Sequence, residues 1–156
     1  MNSVDRTAIE NLVFRYARYV DTAQYDALGA LFADAKVTTN KTDQVFVGKD
    51  AVREAWRMSN KRFAGGTPLT QHVISNLEFE PTNEGTVVRV TSYFTVFQAT
   101  PKIPLQPIVC GRYDDAFDRG ADGWRFRSKH IEITLLGNMS DHLNLDISMK
   151  QATGDQ

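Results

Sequence analysis

The chain has 156 residues, 42% of them hydrophobic and 24% charged, with 18 Lys and Arg against 19 Asp and Glu for a net charge of -1. That is the make-up of one ordinary globular domain with a sizeable core, and the charge balance excludes a basic nucleic-acid binder. No apolar run approaches the roughly 18 residues of a membrane span and the start lacks a basic-then-apolar leader, so no membrane contact is expected and the compartment reads as cytoplasmic.

The first predicted element is a helix from a cap at Ser3 or Asp5 to about Val20, with Ile9, Leu12, Val13, Tyr16, Ala17 and Val20 at helical spacing on one apolar face. Asp21 stands four residues beyond Ala17 and continues that stripe. The negative end of the helix and an apolar surround both disfavour an ionised carboxyl there. Asp21 is therefore either the start of the turn Asp21-Thr22-Ala23 or an acid placed for chemistry. A second helix carries Tyr25, Leu28, Leu31 and Phe32 and breaks near Asp34. A hairpin follows, Ala35–Thr39 returning as Gln44–Val47. A third helix, capped by Asp50, turns Val52, Ala55, Trp56, Ser59 and Phe63 inward until Gly65-Gly66-Thr67-Pro68 stops it.

From Thr70 the period changes to two, and strands are predicted at Thr70–Glu80, Thr86–Ala99, Pro107–Asp118 and Trp124–Leu135. Short connections, among them Pro81–Gly85, make these an antiparallel meander. The class is α+β, three N-terminal helices packed on one face of a strongly curved antiparallel or mixed sheet, forming a cone with an interior pocket. Alternation groups His72, Ile74 and Asn76 against Val73, Ser75, Leu77 and Phe79. It groups Ser92, Phe94 and Val96 against Tyr93, Thr95 and Phe97, and Phe126, Ser128, His130 and Glu132 against Arg127, Lys129, Ile131 and Ile133. Residues 1–137 form the domain. Residues 138–156 read as a polar tail whose first part packs on the domain or on a partner, with His142 solvated. Cys110 reads as a buried inert thiol; His72, His130 and His142 lack paired metal spacing, and Gly65-Gly66 and Gly120 lack a phosphate-loop pattern, so neither metal nor cofactor is expected.

Arg15-Tyr16-Ala17-Arg18-Tyr19-Val20-Asp21, Tyr25-Asp26-Ala27-Leu28, Val47-Gly48-Lys49-Asp50-Ala51-Val52, Gln71-His72-Val73-Ile74-Ser75-Asn76, Gly111-Arg112-Tyr113 and Gly123-Trp124-Arg125-Phe126 together resemble SnoaL-like proteins of the nuclear transport factor 2-like superfamily, over about residues 5 to 135. Scytalone dehydratase and bile acid 7α-dehydratase share the Asp closing the first helix, here Asp21, and the His opening the first long strand, here His72. The bile acid enzyme adds a Tyr matching Tyr16. The second pocket His that scytalone dehydratase takes from the next strand has no counterpart in Thr86–Ala99. The resemblance implies an Asp21–His72 acid–base pair with Tyr16 on the substrate oxygen. A neighbouring carboxylate fixes the tautomer of a His and stabilises its charge, which suits proton transfer near neutral pH.

Tyr19, Trp56, Ser92, Tyr93, Phe94 and His130 are the candidate substrate-binding residues. The expected function is a cofactor-independent lyase (dehydratase) or isomerase acting on a hydrophobic, cyclic, oxygenated small molecule. The alternative is a non-catalytic binding or subunit-assembly protein on the same fold. Apolar positions on the outer sheet face predict a homo-oligomer, a dimer before a trimer.

Overall fold

The computed structural model describes residues 1–82 and 86–144. Part of the expected Pro81–Gly85 connection and most of the expected tail, 145–156, lie outside the described residues. Helix α1 spans Ser3–Asp21 and buries Ile9, Val13, Tyr16, Ala17 and Val20, the stripe its spacing predicts. Its cap is Asn2, whose side chain accepts from the Asp5 N–H at 2.9 Å, so neither Ser3 nor Asp5 fills that role. Helix α2 is Tyr25–Ala30, and a turn beyond it drives Phe32 into the core. Strands β1 (Lys36–Thr39) and β2 (Thr42–Val47) form the predicted hairpin. Gly48, at φ 81°, then lets the chain swing directly into α3 (Gly48–Ser59). Asp50 lies in the first turn of α3 rather than at its cap, where it sits 3.2 Å from Arg53.

The long strands are β3 (Thr70–Pro81), β4 (Val87–Gln98), β5 (Gln106–Gly120) and β6 (Gly123–Leu136). Sheet order is β2-β1-β6-β5-β4-β3, antiparallel except for the parallel β1–β6 contact that draws the hairpin onto the meander. The sheet is therefore mixed, and α1 packs across its inner face against β3 and β6. Inner-face residues Val88, Val90, Phe94, Val96, Tyr113, Phe117 and Phe126 join the helical stripes in one core.

Two bulges reverse parts of the expected alternation. In β3, Ser75 pairs with Tyr93 but Glu78 with Thr91, which inserts an extra residue at Asn76, held at φ 54°. Leu77 and Phe79 thereby turn onto the same face as Ile74 and reach the core, where a strict two-residue period sets them opposite. In β6, Ala116 pairs with Ser128 but Phe117 with Phe126, so Arg127 is skipped and Phe126 shares the inner face with Lys129, Ile131 and Ile133. Asn tolerates the left-handed conformation better than most residues, which is the only local mark of the first bulge.

The second bulge brings a lysine into the core. Lys129 and its cross-strand neighbour Asp115 are both fully buried, with Nζ at 3.1 Å from each carboxylate oxygen. The ammonium also lies 3.4 Å from the Tyr113 ring centre and 4.3 Å from that of Tyr16. Burial pushes the Asp115 carboxyl up to about 6 against the pull of Lys129, and pushes the Lys129 ammonium down against the pull of Asp115. Beside this pair the Phe94 and Tyr113 rings stack at 4.4 Å. Gly111 makes room for that stack, since a Cβ there would meet the Phe94 ring at 2.7 Å and the Glu132 carbonyl at 2.1 Å.

Removing one member of a fully buried pair strands the other charge. Lys129→Met should therefore cost about 3–5 kcal/mol in urea unfolding at neutral pH, and Lys129→Met with Asp115→Leu should recover most of it. The folded wild type already holds the Asp115 proton up to about 6, and without the ammonium the folded variant holds it to a higher pH still, so the deficit should grow as pH rises above about 6. A single variant as stable as wild type would show that the pair is not the ionic contact its geometry describes.

Candidate active site

Between α1, α3, β2 and the inner sheet face lies a cavity of about 870 Å³, lined chiefly by apolar side chains including Val20, Phe46, Phe94, Val96 and Ile131. Val45 and Met58 line it and are also exposed, so it opens to solvent on the side of β2 and α3. Its polar lining falls into two groups: Tyr16, Trp56, His72, Tyr113 and His142 on one side, and Thr39, Lys41, Thr42, Gln44 and Glu54 towards β2 and α3.

Asp21 is the last residue of α1, and it turns against the first residues of β3. One carboxylate oxygen accepts from Thr70 Oγ1 at 2.8 Å and lies 2.6 Å from His72 Nδ1; the other accepts from the His72 backbone N–H at 2.8 Å. These donors offset what the helix end and the apolar surround cost. With both side chains mostly buried, 7% exposed for His72 and 16% for Asp21, the contact is screened little by water. Because Asp21 engages Nδ1, the nitrogen of His72 left for the cavity is Nε2.

Tyr16, on the same helix face, is 2% exposed. Its ring meets those of Trp56 and Tyr113 edge-on, and burial pushes its hydroxyl well above the ordinary phenol range against the pull of those two neighbours. Tyr113 is pushed up likewise, chiefly by burial and next by Tyr16. Both phenols thus remain protonated donors at neutral pH.

Of the predicted site residues, the structure gathers Asp21, His72, Tyr16, Trp56 and Phe94 at this cavity or its floor. Ser92 points inward but is buried in the core with its hydroxyl unpartnered and does not line the cavity. Tyr19 is half-buried and packs against the core from α1. Tyr93 is 52% exposed on the outer face, opposite Phe94, as the two-residue period of β4 requires. His130 is also turned outward, by the β6 bulge, and its Nδ1 lies 2.8 Å from Thr38 Oγ1. Tyr93 and His130 instead border a shallow polar groove on that outer face with Arg112, Asp114 and Glu132.

The residue that sequence reasoning missed is His142. Instead of being solvated, it is buried and lines the cavity close enough to His72 to feel its charge. Burial foremost, and His72 next, push its imidazole down to about 4. The segment carrying it is held in place. Asp141 pairs with Lys61 and accepts from Thr100 Oγ1 at 2.7 Å, Gln98 donates to the Asp141 carbonyl at 3.0 Å, and Leu143 bridges to Asn60. The one local signal was the apolar pair Met139 and Leu143 flanking Asp141-His142 in an otherwise polar stretch. Among the described residues no group of three or more His, Cys, Asp or Glu side chains is placed to hold a metal ion, and no helix is long and apolar enough to cross a membrane.

Residues 2–130 match the family model of the SnoaL-like domain, and the chain belongs to that family. A search of curated proteins finds no match. Among solved structures, a candidate scytalone dehydratase from Novosphingobium aromaticivorans superposes with a TM-score of 0.70 at 23% identity, over 86% of this chain and 87% of that one. An NTF2-like protein with a cystatin-like fold from the same organism gives 0.68 at 19% identity, covering 83% and 81%. The β subunit of a candidate aromatic-ring-hydroxylating dioxygenase, also from that organism, gives 0.68 at 20% identity, covering 86% and 92%. These likenesses establish the NTF2-like fold.

Between about 4 and 6.5 an unfolded His142 binds a proton that the folded one refuses, so acid favours unfolding across that window. Relative to His142→Gln, the wild type should therefore lose up to about 3 kcal/mol of stability as pH falls through it, read from urea midpoints. Parallel pH profiles for the two proteins would contradict the buried, neutral imidazole.

Proposed function

We propose that the chain is a cofactor-independent lyase of the dehydratase type, or an isomerase, acting on a hydrophobic, cyclic, oxygenated small molecule. The observation that carries this reading is the 2.6 Å contact between Asp21 and His72 at the wall of a large apolar cavity. Asp21 holds the Nδ1–H of His72, so the bare Nε2 takes a proton from a carbon beside a carbonyl. Electrons of that C–H bond form the new double bond. In dehydration, the C–O bond of a neighbouring hydroxyl breaks, and the imidazolium returns the proton to the departing oxygen as water. In isomerisation, the same proton goes back at another carbon. Tyr16, whose buried phenol stays protonated, donates its hydroxyl hydrogen to the substrate oxygen where negative charge builds. An apolar cavity with a few convergent polar groups suits such a ligand.

Hydroxylated steroids, polyketides and terpenoids are the panel to screen by mass spectrometry for loss of one water or for a shifted double bond. On any substrate found, His72→Ala and Asp21→Asn should each lower kcat by about 10² to 10⁴, with a smaller effect on KM. Turnover unchanged in both variants would remove the mechanism, and ligand capture without turnover would support a carrier or assembly subunit instead.

The outer face supports a homodimer. Val73, Thr95, Cys110 and Leu135 are successive cross-strand neighbours there, and Val73 and Leu135 are exposed beside Tyr93. Light scattering at micromolar concentration should give twice the chain mass, and Leu135→Lys should reduce it to the monomer.

A further inference from the structure

Two imidazoles meet the cavity, and among the described residues only one of them has a hydrogen-bond partner. His72 is engaged by Asp21. His142 is 6% exposed, and its Nδ1 is sealed from solvent with no hydrogen-bond partner among the described residues. Its placement is nevertheless built. The His142 N–H donates to the Met139 carbonyl at 3.1 Å, its carbonyl accepts from the Lys61 N–H at 3.0 Å, and the residues on either side are pinned through Lys61, Thr100, Gln98 and Asn60.

A neutral imidazole has one N–H and one bare nitrogen. Orphaned buried N–H groups are rarer than orphaned acceptors, so the sealed Nδ1 is the bare nitrogen and the hydrogen belongs on Nε2. His72 has the same tautomer put to the opposite use. Its N–H is Nδ1, spent on Asp21, which leaves Nε2 bare. The cavity wall therefore presents an imidazole acceptor and, near it, an imidazole donor.

We propose that His142 is a substrate-contacting residue whose Nε2–H donates to the reacting oxygen of the ligand while the bare Nε2 of His72 faces the proton to be moved. The ligand it selects is a keto- or hydroxyl-substituted apolar polycycle. This rests on the acid–base reading of Asp21 and His72 and adds a second donor beside Tyr16. A neutral imidazole suits the task, because it stabilises developing charge on oxygen without surrendering its own proton.

The test is a binding series with naphthalene, 2-methoxynaphthalene and 2-naphthol, followed by fluorescence. The ether can only accept, whereas the phenol both accepts from His142 and donates to His72. Each added hydrogen bond should tighten binding about fivefold in the wild type. His142→Phe should abolish the gain from naphthalene to the ether with naphthalene affinity unchanged, and His142→Gln, which keeps an N–H, should restore part of it. His72→Ala should abolish the gain from the ether to the phenol. Nitrogen NMR of the wild type should show the hydrogen of His142 on Nε2. An unchanged oxygen preference in His142→Phe, a parallel loss of all three ligands, or an Nδ1–H tautomer would each overturn the proposal. These affinities need no turnover, so a silent protein that keeps the His142 preference would sink only the catalytic reading.

Discussion

An acidic side chain at the C-terminal end of a helix, facing inward, is a local liability that only tertiary contacts can relieve. Asp21 is relieved by the opening of β3. Thr70 and the backbone and ring of His72 all donate to it, so the carboxylate fastens the end of α1 to the edge strand of the sheet. The same contact that closes the fold on that side fixes the ring of His72 and its tautomer. Structure and candidate chemistry are thus one arrangement here: the donors that make Asp21 tolerable are also what orients the imidazole towards the cavity.

A second buried ionic contact lies beneath the tyrosines. Lys129 and Asp115 sit in the core with Tyr113 and Tyr16 stacked over the ammonium, and the Tyr16 ring in turn meets those of Trp56 and Tyr113 edge-on. Such a pair is poor value as stabilisation alone, since desolvation consumes most of its attraction. What it does produce is a rigid polar layer of fixed dipoles and protonated phenols, one side chain away from the Asp21–His72 contact. Apolar side chains such as Val20, Phe46, Val96 and Ile131 fill much of the lining between these groups and the polar residues of β2 and α3.

The period of the sequence made the elements legible. The 3.6-residue stripe of α1 and the two-residue alternation of the long strands are imposed by burial on one face, and burial is what hydrophobic residues report. Asp21 could be singled out because a charge on such a stripe is a visible exception, and the resemblance to SnoaL-like proteins joined it to His72. What was hidden depends on single-residue geometry. A bulge at Asn76 or at Arg127 costs one residue of register and reverses every later side chain, and neither has more than a faint local mark. That is why His130 faces outward while Lys129 shares the inner face with Phe126 and is the most buried cation of the described residues.

His142 was illegible for another reason. It follows the last strand in a polar stretch, and its burial depends on partners far back in the chain: Lys61 for the neighbouring carboxylate, Asn60 for Leu143, Gln98 for the intervening carbonyl. The next strand offers no second imidazole at Thr86–Ala99, but the chain returns after β6 and delivers one from the opposite direction. Met139 packs this segment against the core, and hydrogen bonds add to that anchoring. Thr100 and Lys61 converge on Asp141, and the resulting clasp holds the second imidazole at the cavity.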